Sequence, residues 1–166
     1  MKLENKKKLF NSTFIIVLIF FLDRLSKIYV LSLAKINNSV DIFVTEYLNI
    51  YLIWNEGIAF GLLSFSQSSI YNIITVLIVI ISLVVYTLII KTNDIRFYFY
   101  SLVFGGATGN LFDRLYYSAV PDFIDLHINN YHWFIFNVAD IFITTGVICL
   151  ILVELIFNKS LENEKK

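Results

Sequence analysis

Asp122 and Asp140 each stand in apolar surroundings, within Val120-Pro121-Asp122-Phe123-Ile124 and Phe136-Asn137-Val138-Ala139-Asp140. Two carboxyls brought close in a poorly solvated place cannot both ionise cheaply, so one keeps its proton and the pair titrates as a unit. Such a pair hydrolyses peptides. The ionised member draws a proton from water, and the protonated member polarises the scissile carbonyl. Asn110, Arg114 and Asn137 are suited to orient the pair and a peptide beside it. Spacing along the chain does not establish that the two aspartates meet.

Other polar residues stand out because ionisable groups at membrane depth are costly and need partners. Asp23 and Lys27 are four apart on a helix, acid before base, which predicts an ion pair on one face. Asn55-Glu56-Gly57-Ile58-Ala59-Phe60-Gly61 predicts a tight turn, with glycines that allow close backbone approach. In Gly105-Gly106-Ala107-Thr108-Gly109-Asn110, the Gly105/Gly109 pair suits close helix packing. Asn110, Asp113 and Arg114 follow at i, i+3 and i+4, on one helical face at the mouth of an apolar stretch. If residues 120–128 are extended, Asp122 shares a side with Ile124, Leu126 and Ile128, while Asp125 and His127 face solvent with Phe123.

The elements that must position these groups belong to a membrane protein. Of 166 residues, 58% are hydrophobic and 16% charged, too apolar a balance for a water-soluble domain of this size. A net charge of zero argues against a nucleic-acid partner held by phosphate attraction. The one cysteine, Cys149, excludes an internal disulfide framework. Apolar stretches predict four membrane spans, over about 9–34, 70–90, 97–112 and 133–157, within a single domain 1–166. Lys2, Lys6, Lys7, Lys8, Lys91, Arg96, Lys159, Lys165 and Lys166 all fall on one side of that arrangement, which places both termini in the cytoplasm. Asp23, Arg24 and Lys27 follow the first apolar run without a small-x-small site, so that run reads as a retained span rather than a cleaved leader. Between spans one and two, residues 40–44 and 47–54 are rich in β-branched and aromatic side chains and predict strands. The expected fold is mainly α: a four-transmembrane-helix bundle with a small β-rich extracytoplasmic cap.

Five blocks in order resemble the signature of the lipoprotein signal peptidase (signal peptidase II) family. They are Asp23-x3-Lys27, Asn55-x-Gly57-x-Ala59-Phe60-Gly61, Gly105-Gly106-x2-Gly109-Asn110-x2-Asp113-Arg114, Val120-x-Asp122-Phe123 and Phe136-Asn137-x-Ala139-Asp140. The resemblance implies a membrane aspartyl endopeptidase of the bacterial cytoplasmic membrane, with no metal or organic cofactor and sensitivity to globomycin. It implies that the substrates are prolipoproteins, cut just before a cysteine that already carries diacylglycerol, at the outer face. Asp122 and Asp140 would be the catalytic pair. Asn55, Gly57, Asn110, Arg114, Asn137 and Ala139 would line the site and hold substrate. Asp23, Lys27, Gly106, Gly109 and Asp113 would support the fold beside it. Pro121 stands where the family usually has valine, which puts strand pairing next to Asp122 in question, and Glu56 adds a charge at a variable position. A pocket for one extended peptide works in a monomer, and the membrane lipid is the other expected partner.

Rival chemistries fit the same residues less well. An ion- or proton-coupled transporter relaying through Asp23, Asp113 and Asp140 would place ionisable groups in several spans, yet the second span has none. A zinc peptidase using His127 and His132 lacks the i, i+4 spacing of a zinc-binding helix. A serine protease with an intramembrane histidine finds no histidine in any of the four spans.

Overall fold

The computed structural model describes residues 3–57, 68–129 and 131–163. Among the described residues, four helices and two pairs of strands follow one another in the order α1 (Leu3–Asn37), β1 (Asp41–Thr45), β2 (Leu48–Asn55), α2 (Ser68–Lys91), α3 (Arg96–Tyr117), β3 (Val120–Ile128), β4 (Tyr131–Phe136) and α4 (Val138–Asn163). The strands form one antiparallel sheet in the order β1-β2-β3-β4. The architecture is mainly helical with a small antiparallel sheet.

Burial is inverted relative to a water-soluble bundle. Ile73, Val76 and Leu155 are 58–66% exposed, whereas Asp23, Lys27 and Asp113 are 0% exposed. Apolar surface on that scale suits hydrocarbon, and the charges it encloses are paired. Residues Tyr71–Lys91 of α2 and Val138–Phe157 of α4 are long and apolar enough to cross a membrane.

Helix α3 lies among the other helices, and its glycines set the approach. A Cβ on Gly105 or Gly109 would meet Ile19 and Asp23 of α1, while one on Gly106 would meet Ala139 and Ile143 of α4. The helices end at residues that accept left-handed backbone: Asn38 (φ 61°) follows α1 and Ser118 (φ 59°) follows α3. At the sheet end of α1, Val30, Val40 and Phe123 form a small apolar core with Leu33, Ile50 and Leu52 packed around it.

Two element boundaries beside the site depart from the hydropathy reading. Helix α4 begins at Val138 instead of 133, because Trp133–Phe136 belong to β4 and pair with β3 (Ile124 with Phe136, Leu126 with Phe134). An apolar aromatic run reads the same in a membrane helix and in a strand, so hydropathy carried the span too far. Helix α3 continues to Tyr117, which puts Asn110, Asp113 and Arg114 inside a helix rather than at its mouth. Pro121 does not interrupt β3: it pairs with Trp54 of β2, and β4 pairs only from Ile124 onward. With a strand on one side alone, a missing N–H is tolerated there.

Candidate active site

Asp122 comes from β3 and Asp140 from the first turn of α4, and both line one cavity of about 240 Å³ with Asn55, Asn110 and Arg114. Asp122 is 1% exposed and Asp140 5% exposed. The bulge between Ile50 and Ile53 shifts the β2–β3 register, so that Ile53 lies opposite Asp122 and Asn55 opposite Val120.

Each carboxylate is held by two asparagine groups. Asn55 Nδ2 donates to one oxygen of Asp122 (2.8 Å) and Asn137 Nδ2 to the other (2.6 Å). Asn110 Nδ2 donates to Asp140 Oδ1 (2.8 Å) and the Asn137 backbone N–H to Asp140 Oδ2 (3.2 Å). The orientation of each amide follows from its other end. Asn55 Oδ1 accepts from Gly57 N (2.9 Å), Asn137 Oδ1 from Asp140 N (3.1 Å) and Asn110 Oδ1 from Lys27 Nζ (2.8 Å). A donor at the oxygen leaves the NH2 to face the carboxylate. Asn137 and Asp140 thereby make a reciprocal capping box at the start of α4, and the same Asn137 touches both aspartates.

Burial pushes the Asp122 carboxyl up to about 7, and the nearby charge of Asp140 pushes it the same way. The amide donors from Asn55 and Asn137 oppose that rise without cancelling it. Asp122 is therefore a carboxyl that keeps its proton close to neutral pH.

Behind Asp140 lies a closed network of charge. Lys27 Nζ reaches Asp23 (2.9 Å) and Asp113 (2.6 Å), and Arg24 reaches the same two carboxylates at 3.0 and 2.6 Å. Asp23 also accepts the Ala139 N–H (3.1 Å), so α1 pins the first turn of α4 beside Asp140. Ala139 is itself fully buried. Arg24 and Tyr71 were not singled out by spacing. Arg24 lies between Asp23 and Lys27 and carries a charge of its own, which is a usable signal; Tyr71 carries none.

Arg114 points the other way. Its guanidinium donates to Gly57 O, and its backbone carbonyl accepts the Tyr71 hydroxyl (2.8 Å). Ala59, Phe60 and Gly61 of the Asn-x-Gly block lie outside the described residues. Asp125 and His127 are not solvent-facing as alternation predicted: they are 0% and 8% exposed. Asp125 meets His132 Nδ1 at 2.8 Å and lies opposite Asn49, so neighbouring strands cover the side that an isolated strand would show to water.

The close α3–α4 contact makes a sharp prediction. A Cβ at Gly106 would lie 2.5 Å from the Ala139 carbonyl oxygen and 2.7 Å from Ile143 Cγ1, so Gly106→Ala must push α4 away and carry Asp140 with it. The expected result is a loss of about 1–3 kcal/mol in stability, read by thermal unfolding in detergent, with a larger proportional loss of turnover.

Comparison with known proteins adds identity to this geometry. The family model described as "Signal peptidase (SPase) II" matches residues 15–157. The lipoprotein signal peptidase of Pelagibacter ubique (strain HTCC1062) is 54% identical over 161 residues, covering 97% of each chain. That of Anaplasma phagocytophilum (strain HZ) is 42% identical over 134 residues, covering 81% of this chain and 85% of its own. A bacterial membrane enzyme solved by the in meso method at 2.3 Å superposes with a TM-score of 0.71 at 32% identity, covering 90% of this chain and 89% of that one. With a match of this extent on both sequence and fold, the chain belongs to the signal peptidase II family.

Proposed function

We propose that Asp122 and Asp140 form the catalytic dyad with which this peptidase cuts the signal peptide from diacylglyceryl-modified bacterial prolipoproteins, just before the lipidated cysteine. The observation that carries the reading is Asn137, which holds one oxygen of Asp122 through its side chain and one oxygen of Asp140 through its backbone N–H. The pair shares a proton. Its ionised member takes a proton from the attacking water, and its protonated member polarises the scissile carbonyl, later returning a proton to the leaving amine. Asn55, Asn110 and Asn137 fix the carboxyls before substrate arrives, and Arg114 with the Gly57 backbone meets the extended peptide. Ala139 keeps the turn that carries Asp140 closely packed. Asp23, Lys27, Asp113, Gly106 and Gly109 hold α1, α3 and α4 together behind the dyad.

All four helices span the membrane in this reading, within one domain covering 1–166, with both termini in the cytoplasm and the sheet outside. Support for α1 and α3 as spans comes from their inward-paired charges and from the exposed Phe10, Phe14, Phe21 and Phe112. The cavity also borders Ile78 and Ile81 of α2 and Ile143 of α4, an apolar flank suited to a lipid-anchored substrate arriving from the bilayer. The enzyme acts as a monomer with surrounding lipid as its other partner, and requires neither metal nor organic cofactor.

Purified protein in detergent tests this directly. It cleaves a diacylglyceryl-modified precursor, leaves the unlipidated one intact, is blocked by globomycin and keeps full activity in EDTA. Cleavage of both precursors at similar rates would sink the substrate assignment, and loss of activity with chelator would sink the aspartyl mechanism.

A further inference from the structure

We propose that Tyr71, in the first turn of α2, is a positioning residue that presents the Arg114 guanidinium to a backbone carbonyl of the substrate, an inference that rests on the peptidase reading above. The Arg114 Cζ lies 5.4 Å from the centre of the Tyr71 ring, within range of a cation–π contact. The Tyr71 hydroxyl donates to the Arg114 carbonyl (2.8 Å), in the last turn of α3. One side chain thus fixes both the backbone and the head group of Arg114.

What the clamp leaves over is informative. Arg114 Nη2 is committed to Gly57 O, whereas Nη1 is buried with no hydrogen-bond acceptor among the described residues. Arg114 lines the cavity that holds both aspartates and is 4% exposed. A buried guanidinium N–H without an acceptor costs free energy unless another group arrives to accept it. A peptide carbonyl entering the cavity beside the dyad is such an acceptor, neutral and planar, and a guanidinium already held by Tyr71 and Gly57 gives up little freedom on meeting it. Tyr71 touches no reacting atom. It acts through Arg114, so its loss weakens substrate binding more than the chemical step.

The test is a double-mutant cycle on the lipidated precursor. Tyr71→Leu, which removes both ring and hydroxyl, raises KM about tenfold with kcat within about twofold, and Tyr71→Phe, which keeps the ring, recovers most of that loss. In an Arg114→Lys background, Tyr71→Leu adds less than about twofold, because the group it positions is gone. Where Arg114→Lys turns over too slowly, the same cycle is read as the precursor dissociation constant in proteins that also carry Asp140→Asn. If Tyr71→Leu does not accumulate as folded protein, Tyr71→Phe against Tyr71→Val supplies the comparison. An equal effect in both Arg114 backgrounds, or a fall in kcat without a rise in KM, overturns the inference. Either outcome leaves the dyad standing, since that assignment is tested separately, by the aspartate substitutions and by chelator.

Discussion

Asp140→Asn and Asp122→Asn each lower kcat for the lipidated precursor by about a hundred- to ten-thousandfold, with folded protein recovered in normal yield. The substitutions are nearly isosteric, so the α4 cap and the β2–β3 pairing survive them. What disappears is the shared proton: an amide neither accepts the proton of the attacking water nor returns one to the leaving amine. The contrast with neighbouring residues matters, because Asn55, Asn110 and Asn137 hold the carboxyls without exchanging protons, and each of their removals should cost less than loss of an aspartate. Undiminished turnover in either aspartate variant, with protein levels equal, would remove the dyad.

The pH dependence follows from Asp122. Burial and the adjacent Asp140 raise its carboxyl from 3.8 to about 7, so the dyad holds its proton below that value and loses it above. Activity therefore declines on the alkaline side with a midpoint near 7. The stability consequence has a definite sign. Between those two values the folded protein binds a proton that the unfolded chain has released, so stability falls as pH rises through that window. Asp122→Asn, which cannot titrate, removes that slope. Comparison of unfolding temperatures at pH 5 and pH 8 should show the wild type losing more than the variant.

Much of this site was legible because its residues obey helical arithmetic. Asp23 and Lys27 at i, i+4 do form an ion pair, and Asn137 with Asp140 at i, i+3 do share a face, as a capping box. Strands were expected at 40–44 and 47–54, where β1 and β2 lie. The failures have physical causes too. Of Asn110, Asp113 and Arg114, expected on one face, Asn110 and Arg114 do line the same cavity, but Asp113 turns away to Arg24 and Lys27. Residues i+3 and i+4 differ in direction by about one helical step, and which neighbour each reaches depends on packing that no single helix specifies. Asp125 and His127 were read as solvated because alternation ranks the two sides of a strand without knowing what covers them. Trp133–Phe136 joined a span because apolar content alone does not separate strand from helix. Nothing in the spacing could pair Asn110 with Asp140, thirty residues on, since that contact is made by the α3–α4 approach over Gly106.

Lys27→Met should be the most destabilising single change, and a second substitution should separate its two consequences. The network contains two carboxylates, Asp23 and Asp113, and two cations, Arg24 and Lys27, all at most 8% exposed. Removing the ammonium leaves one carboxylate without a counter-charge in a place water does not reach, at a cost of about 3–5 kcal/mol. It also strips the donor from Asn110 Oδ1, so the amide that faces Asp140 is free to turn. Adding Asp113→Asn removes the excess charge and should restore most of the lost stability, measured as unfolding temperature in detergent, because the remaining Asp23 and Arg24 balance. Turnover should not follow. Asn110 still lacks the donor that aims it, so the double variant stays about tenfold or more below wild type in kcat. If activity returns together with stability, the network only holds the helices in place; if stability returns alone, Lys27 reaches the chemistry through Asn110, one hydrogen bond away from Asp140.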